Sequence, residues 1–328
     1  MDKTINDYKN SIVSFYEEII LYLKEKKKFK LVKKLPNINF AKFNANIRAN
    51  NESKIRFSEF ISLFDYVIRN NFSEELLHNY YDNMDDFGIY CTCFQLGDYT
   101  KKDEYAGRYN TLENIICINI KDENQVKSIY HELFHLASTN RMQIDRIATG
   151  FSSYQYGQTI GSKLNEGYTD LMALRYFGSV GFVPAYITIL PYVNVLEQVV
   201  GKNKMEALYL TANPGELVRE LSKYDSVENI MYFINNLDYV NDLKESYIDN
   251  EQRLRNTSIM LVQWYVRKLI LNGENLTDSF VKNKIRAFAW QLPAAVENPK
   301  KLKEVYYIDI NQIIEDVIEE ELKNNKRR

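Results

Sequence analysis

Apolar residues recur at helical spacing through most of this chain and at strand-like spacing in one short region. After Asp122, seven segments place apolar side chains three and four residues apart: Gln125 to Ser138, Ser162 to Phe177, Lys202 to Thr211, Ser226 to Asn236, Tyr247 to Leu271, Ser279 to Gln291 and Asn311 to Lys323. That period is the mark of a helix with one buried face. Two more helices are predicted upstream, one before Lys34 and one around Phe57 to Asp82. Between Ile89 and Ile120 the pattern shortens: Ile89-Tyr-Cys-Thr-Cys-Phe-Gln-Leu96 and Asn114-Ile-Ile-Cys-Ile-Asn-Ile120 are β-branched and aromatic runs that read as strands of a small sheet. Thr149 to Gly161 carries three glycines among polar residues and reads as a long loop, a kind of segment that often has a functional role. Phe177 to Leu196 bears no charge over nearly the length of a membrane span, but Gly178, Gly181, Pro184 and Pro191 make it a buried, kinked helix in this reading.

These elements predict a helix-rich α+β fold. Residues 1–150 form an N-terminal lobe with a small mixed sheet and the Gln125 to Ser138 helix, residues 151–328 form a helical lobe, and an active cleft is expected between the two. A length of 328 residues with 45% hydrophobic content is enough to bury such a core. Charge adds only exclusions. With 42 basic against 44 acidic side chains, no overall field recruits nucleic acid or an anionic membrane. The lysines between Lys24 and Lys34 and the basic tail from Lys323 read as solvated. Three cysteines, Cys91, Cys93 and Cys117, are too few for a disulfide framework and point to a reducing, cytoplasmic compartment.

The chemistry is concentrated in Ser128-Ile-Tyr-His-Glu-Leu-Phe-His-Leu-Ala137, which holds a His-Glu-x-x-His pattern. On a helix, residues four apart differ by about 40° in azimuth and about 6 Å in rise, so the imidazoles of His131 and His135 can converge on one ion. Val126, Ile129, Tyr130, Leu133 and Ala137 share a face away from both histidines. Glu132 is rotated by about 100° from His131, beside an ion at that point, where it can take a proton from bound water. The chain has only three histidines. At its composition the pattern would arise by chance in roughly one chain in five hundred. The third histidine, His78, reads as structural or solvated.

A hydrolytic zinc site takes a third protein ligand and leaves one position for water. Leu164-Asn-Glu-Gly-Tyr-Thr-Asp170 opens the next helix, with Ser162 placed to cap it. Glu166 can supply the carboxylate, and Asp170, one turn on, can accept the free N–H of a ligand histidine.

His131-Glu-x-x-His135 followed by Asn165-Glu-x-x-Thr-Asp170 resembles the gluzincin metallopeptidases, including the thermolysin-like enzymes, over roughly Ile115 to Phe177. The resemblance implies a zincin-like N-terminal lobe, zinc bound by His131, His135 and Glu166, Glu132 as general base, and Asp170 orienting a ligand histidine. It also implies an edge strand that binds extended substrate by strand addition. Asn114 to Ile120 stands in the place for it, though a fully paired internal strand fits the same residues. The oxyanion needs a donor, which such enzymes draw from a histidine or tyrosine. No histidine follows His135, and Tyr156 is preferred here, with Tyr154, Tyr168, Tyr209 and Arg219 as alternatives.

The sequence thus predicts a zinc-dependent metallopeptidase acting on a peptide or protein substrate. The alternative is a zincin-like regulatory protein that holds peptide without turnover. That reading leaves Glu132, which ligates no metal, without a task.

Overall fold

A computed structural model describes residues 51–84, 87–92, 106–119, 125–143, 146–155, 158–240, 247–297 and 305–325. The helix expected before Lys34, the side chains of Cys91 and Cys93, Ile120 and Tyr156 lie outside the described residues. The fold is α+β with helix in excess. The chain divides into two compact units, Met1–Gly150 with Met172–Ala185 and Leu210–Ala212, and Phe151–Leu171 with Tyr186–Tyr209 and Asn213–Arg328.

In the first unit, α1 (Asn51–Asn71) and α2 (His78–Met84) are separated by a 3-10 turn at Glu74–Leu77. The sequence predicts one helix here, but Ser73 is extended, with φ −72° and ψ 155°, and restarts the chain. Strands β1 (Gly88–Thr92), β2 (Gly107–Asn110) and β3 (Ile115–Asn119) form a mixed sheet in the order β1-β3-β2. β3 is parallel to β1 and antiparallel to β2. The strand expected as a substrate-binding edge is therefore the internal one, and among the described residues β1 and β2 lie at the edges. Ile116 and Ile118 are fully buried, as their alternation predicts. Helix α3 (Gln125–Ala137) packs on β2, β3, α1 and α2. It leads into a hairpin of β4 (Thr139–Gln143) and β5 (Arg146–Thr149).

α3 is held by aromatic packing. The Phe177 ring stacks on Tyr130 at 4.0 Å and on Phe64 at 5.5 Å, while Phe134 meets Phe64 edge-on at 4.9 Å. Such ring geometries add to the burial of large apolar surfaces.

The second unit is mostly helical, but not entirely. The segment read as a long loop contains β6 (Ser152–Gln155) and β7 (Gln158–Ile160), an antiparallel pair. Its alternating side chains are polar or exposed, so apolar periodicity gives no strand signal there. Helices α4 (Ser162–Phe177, with Met172 onward in the first unit), α5 (Leu190–Val200), α6 (Lys202–Leu210, with Leu210 in the first unit), α7 (Pro214–Leu221), α8 (Val227–Val240), α9 (Tyr247–Leu271), α10 (Ser279–Ala289) and α11 (Ile310–Asn325) follow, with a hairpin of β8 (Ala295–Glu297) and β9 (Val305–Tyr307). The central α9 packs against α5, α8, α10 and α11 and buries Trp264, whose indole N–H donates to Asp225. The kinked helix expected over Phe177 to Leu196 is instead a 3-10 turn and an irregular stretch before α5, with Gly181 in a left-handed conformation at φ 100°. No helix among the described residues is long and apolar enough to cross a membrane.

Replacing the buried Phe177 with alanine should lower stability by about 3–5 kcal/mol. Leu174→Ala on the exposed side of α4 should cost about 0.5 kcal/mol or less. Urea unfolding followed by far-UV circular dichroism checks both, and equal midpoint shifts would remove the aromatic stack as a main support.

Candidate metal centre

Helix α3 buries one side completely: Ile129, Leu133, Phe134, Leu136 and Ala137 are inaccessible to solvent, and Tyr130 nearly so. His131, Glu132 and His135 lie on its other side, each 7% exposed. The imidazoles of His131 and His135 meet edge to face, with their Nε2 atoms 2.9 Å apart. Two bare lone pairs repel at that distance, so the arrangement calls for a shared proton or a cation. A tetrahedral ion with metal–nitrogen bonds of about 2.0–2.1 Å holds its ligand nitrogens roughly 3.3 Å apart, so a small opening of the pair accommodates one.

The last turn of α3 is tied down group by group. A helix end leaves carbonyls without partners, and here side chains fill that need. Ser138 Oγ donates to Phe134 O at 2.8 Å, and Thr139 Oγ1 donates to His135 O at 2.6 Å. Asn83 Nδ2 donates to Leu136 O and Thr139 O. The backbone that carries His135 is fixed by its own neighbours.

Glu166 comes from α4, whose start is equally determined. Asp238 accepts from Gly161 N and Lys163 N, so the helix cap comes from a carboxylate on α8, where sequence favours Ser162. Gly161 has φ +77°, and a Cβ there would lie 2.5 Å from Phe151 O, so this turn requires glycine. Asn165 Oδ1 accepts from Phe151 N, Tyr168 donates to Glu197, and Thr169 Oγ1 hydrogen-bonds with Tyr209. A Cβ on Gly167 would fall 2.5 Å from Ile189 Cγ2, so the absent side chain admits α5 close to α4. Asp170, fully buried, accepts from Tyr186 N at 2.5 Å. Around Glu166, every neighbour in the motif has a packing or hydrogen-bonding task.

Donor atoms of His131, His135 and Glu166 all lie within 4.8 Å of one another, with both histidines buried and Glu166 half-buried. This group could hold a metal ion. Two imidazoles and one carboxylate suit a divalent transition metal, because imidazole is a borderline donor and the carboxylate offsets part of the charge.

The sequence does not single out one residue that matters here. β2 starts at Gly107, where a Cβ would lie 2.8 Å from Ser128 Cβ and 3.2 Å from both Cγ and Oε1 of Glu132. The edge strand thus presses its backbone against Glu132. A glycine inside a short β-like run signals such a close approach, but Gly-Arg-Tyr-Asn is too short and too polar to stand out as a strand. Burial pushes the Tyr109 phenol up from its ordinary value, so it stays protonated and donates to Asn114 Oδ1, bracing the β2–β3 turn.

Among the alternative oxyanion donors, Tyr168 and Tyr209 are fully buried, with their hydroxyls bonded to Glu197 and Thr169. Arg219 is exposed and paired with Glu216 on α7. Tyr154 is 47% exposed on β6. His78 is exposed, with Nδ1 toward Glu75 O. Cys117 is a free thiol.

No family model, curated protein or solved structure matches the chain.

His135→Ala and Glu166→Ala should each weaken zinc binding by at least about 10–100-fold, a range found even for partners that only support a ligand. Equilibrium dialysis with elemental analysis measures this, and undiminished zinc in both variants would remove the group as a metal site.

Proposed function

We propose that the chain is a zinc-dependent peptidase on a zincin-like scaffold, hydrolysing peptide bonds of a peptide or protein substrate in the cytoplasm. The observation that carries this reading is the placement of Glu132. It is a buried carboxylate next to His131, outside the three-residue donor group, and the edge strand lies against it at Gly107. A site that only stored metal has no use for a further carboxylate held there.

When bound, zinc supplies a Lewis acid for water and for the scissile carbonyl. Glu132 accepts a proton from the attacking water as its oxygen bonds to the carbonyl carbon, and passes that proton to the leaving amine as the C–N bond breaks. The motif assigns Asp170 the task of orienting a ligand histidine, and its Oδ2 accepts from Tyr186 N. The oxyanion donor is assigned to Tyr156, the choice the sequence favours. Of the described alternatives, only Tyr154 combines a tyrosine hydroxyl with exposure. Extended substrate adds to the sheet at β2, which pairs with β3 alone among the described residues.

Glu132→Gln should retain zinc and lose hydrolysis of a mixed-sequence peptide library by about 10²–10⁴-fold, the range for removing a general base. Cleavage products counted by mass spectrometry give the rate. If Glu132→Gln cleaved as fast as the parent, the general-base role would be lost. If the zinc-loaded parent cleaved nothing while still binding peptides, the chain would be a peptide-holding protein on the same scaffold.

A further inference from the structure

Within the first unit, a cavity of about 420 Å³ opens between α2, the β2–β3 turn and the β4–β5 hairpin. None of the metal-group residues lines it. Among the described residues its walls carry the guanidinium of Arg141, the carboxylate of Asp82, the His78 ring, and the amides and hydroxyls of residues such as Asn79 and Thr111.

Arg141 is the feature that points to a ligand. Its Nε donates to Asn83 Oδ1 at 2.8 Å, which fixes the plane of the guanidinium. No carboxylate among the described residues pairs with it, although the chain pairs other half-buried guanidinium groups, such as Arg267 with Glu321. The two Nη groups form the fork that matches a planar carboxylate in a bidentate contact. Asn83 is itself immobile: it is buried and bonded to Leu136 O and Thr139 O. The guanidinium is therefore held in place before any ligand arrives, which lowers the ordering cost of binding.

The remaining walls narrow the ligand. A cluster of several negative charges would meet Asp82, so a phosphate or polyanion fits poorly. At His78, Nδ1 faces the Glu75 carbonyl and must carry the proton, which leaves Nε2 as an acceptor in the neutral ring. A carboxylate opposite Arg141 and a donor such as an amine opposite Asp82 and His78 together describe a zwitterion. The cavity is within the size range of small-molecule sites.

We propose that this cavity is a binding site for a small amino-acid-like zwitterion whose carboxylate is gripped by Arg141 and whose ammonium faces Asp82. The site is separate from the metal group and does not rest on the peptidase reading. Binding is tested on the full chain, without metal, by calorimetric titration with an equimolar mixture of the common α-amino acids and then with each one singly. The matching simple carboxylates and amines serve as controls. Saturable binding of at least one amino acid is expected, weakened about 10–100-fold in Arg141→Gln, the loss expected for a hydrogen-bonded charge pair. Thr111→Trp, which fills the cavity from the turn and leaves Arg141 and Asn83 in place, should lose binding as well. His131→Ala should bind as the parent does. Binding that survives both cavity variants, binding lost in His131→Ala, or no saturable binding of any amino acid by a folded parent chain would each overturn the proposal. Stronger binding of the simple carboxylates than of the amino acids would overturn the role of Asp82.

Discussion

Two imidazole nitrogens 2.9 Å apart on a buried helix face are the constraint on which this structure depends. At that distance a proton or a cation must lie between them, and burial leaves little water to take its place. The chain keeps them together through the rigidity of α3. Its far side is packed against aromatic rings, and its last carbonyls are taken up by Ser138, Thr139 and Asn83. The surrounding fold thus sets the pair, which one ring can close by donating its Nε2 proton to the other, and a bound ion would take that proton's place between the two nitrogens.

Glu166 is held by a different logic. Where α3 is fixed by apolar contact, the start of α4 is fixed by polar groups: the Asp238 cap, the Asn165 bond to Phe151 N, and the Thr169 and Asp170 bonds one turn on. Hydrogen bonds specify direction more sharply than apolar burial does. A carboxylate at the end of three torsions reaches a fixed point more readily from a backbone that does not turn, and these bonds hold the start of α4 in that way.

Much of this was legible in the sequence. The bounds of α4 and α9 match the helical segments read from the sequence, and the His-Glu-x-x-His and Asn-Glu-x-x-Thr-Asp patterns name the three residues whose donor atoms meet. What escaped was whatever periodicity does not encode. β2 is four residues long and begins with a glycine. β6 and β7 are polar strands with exposed positions, such as Tyr154 and Ile160, and pair locally without needing an apolar face. The break at Ser73 is a change of backbone angle within the polar run Arg69 to Glu75, where Phe72 alone is apolar. The Asp238 cap joins residues more than seventy positions apart, which no local window can see.

The hydrogen bonds around Glu166 bear on how this chain could change over generations. Asn165, Gly167, Tyr168, Thr169 and Asp170 each serve the fold, so selection for folding alone would preserve them. If the chain is the hydrolase proposed above, a descendant that abandoned that chemistry would keep most of the second motif as a fossil of packing. Its first losses would fall on Glu132 and Glu166, and those two positions, more than the surrounding pattern, would separate working relatives from retired ones.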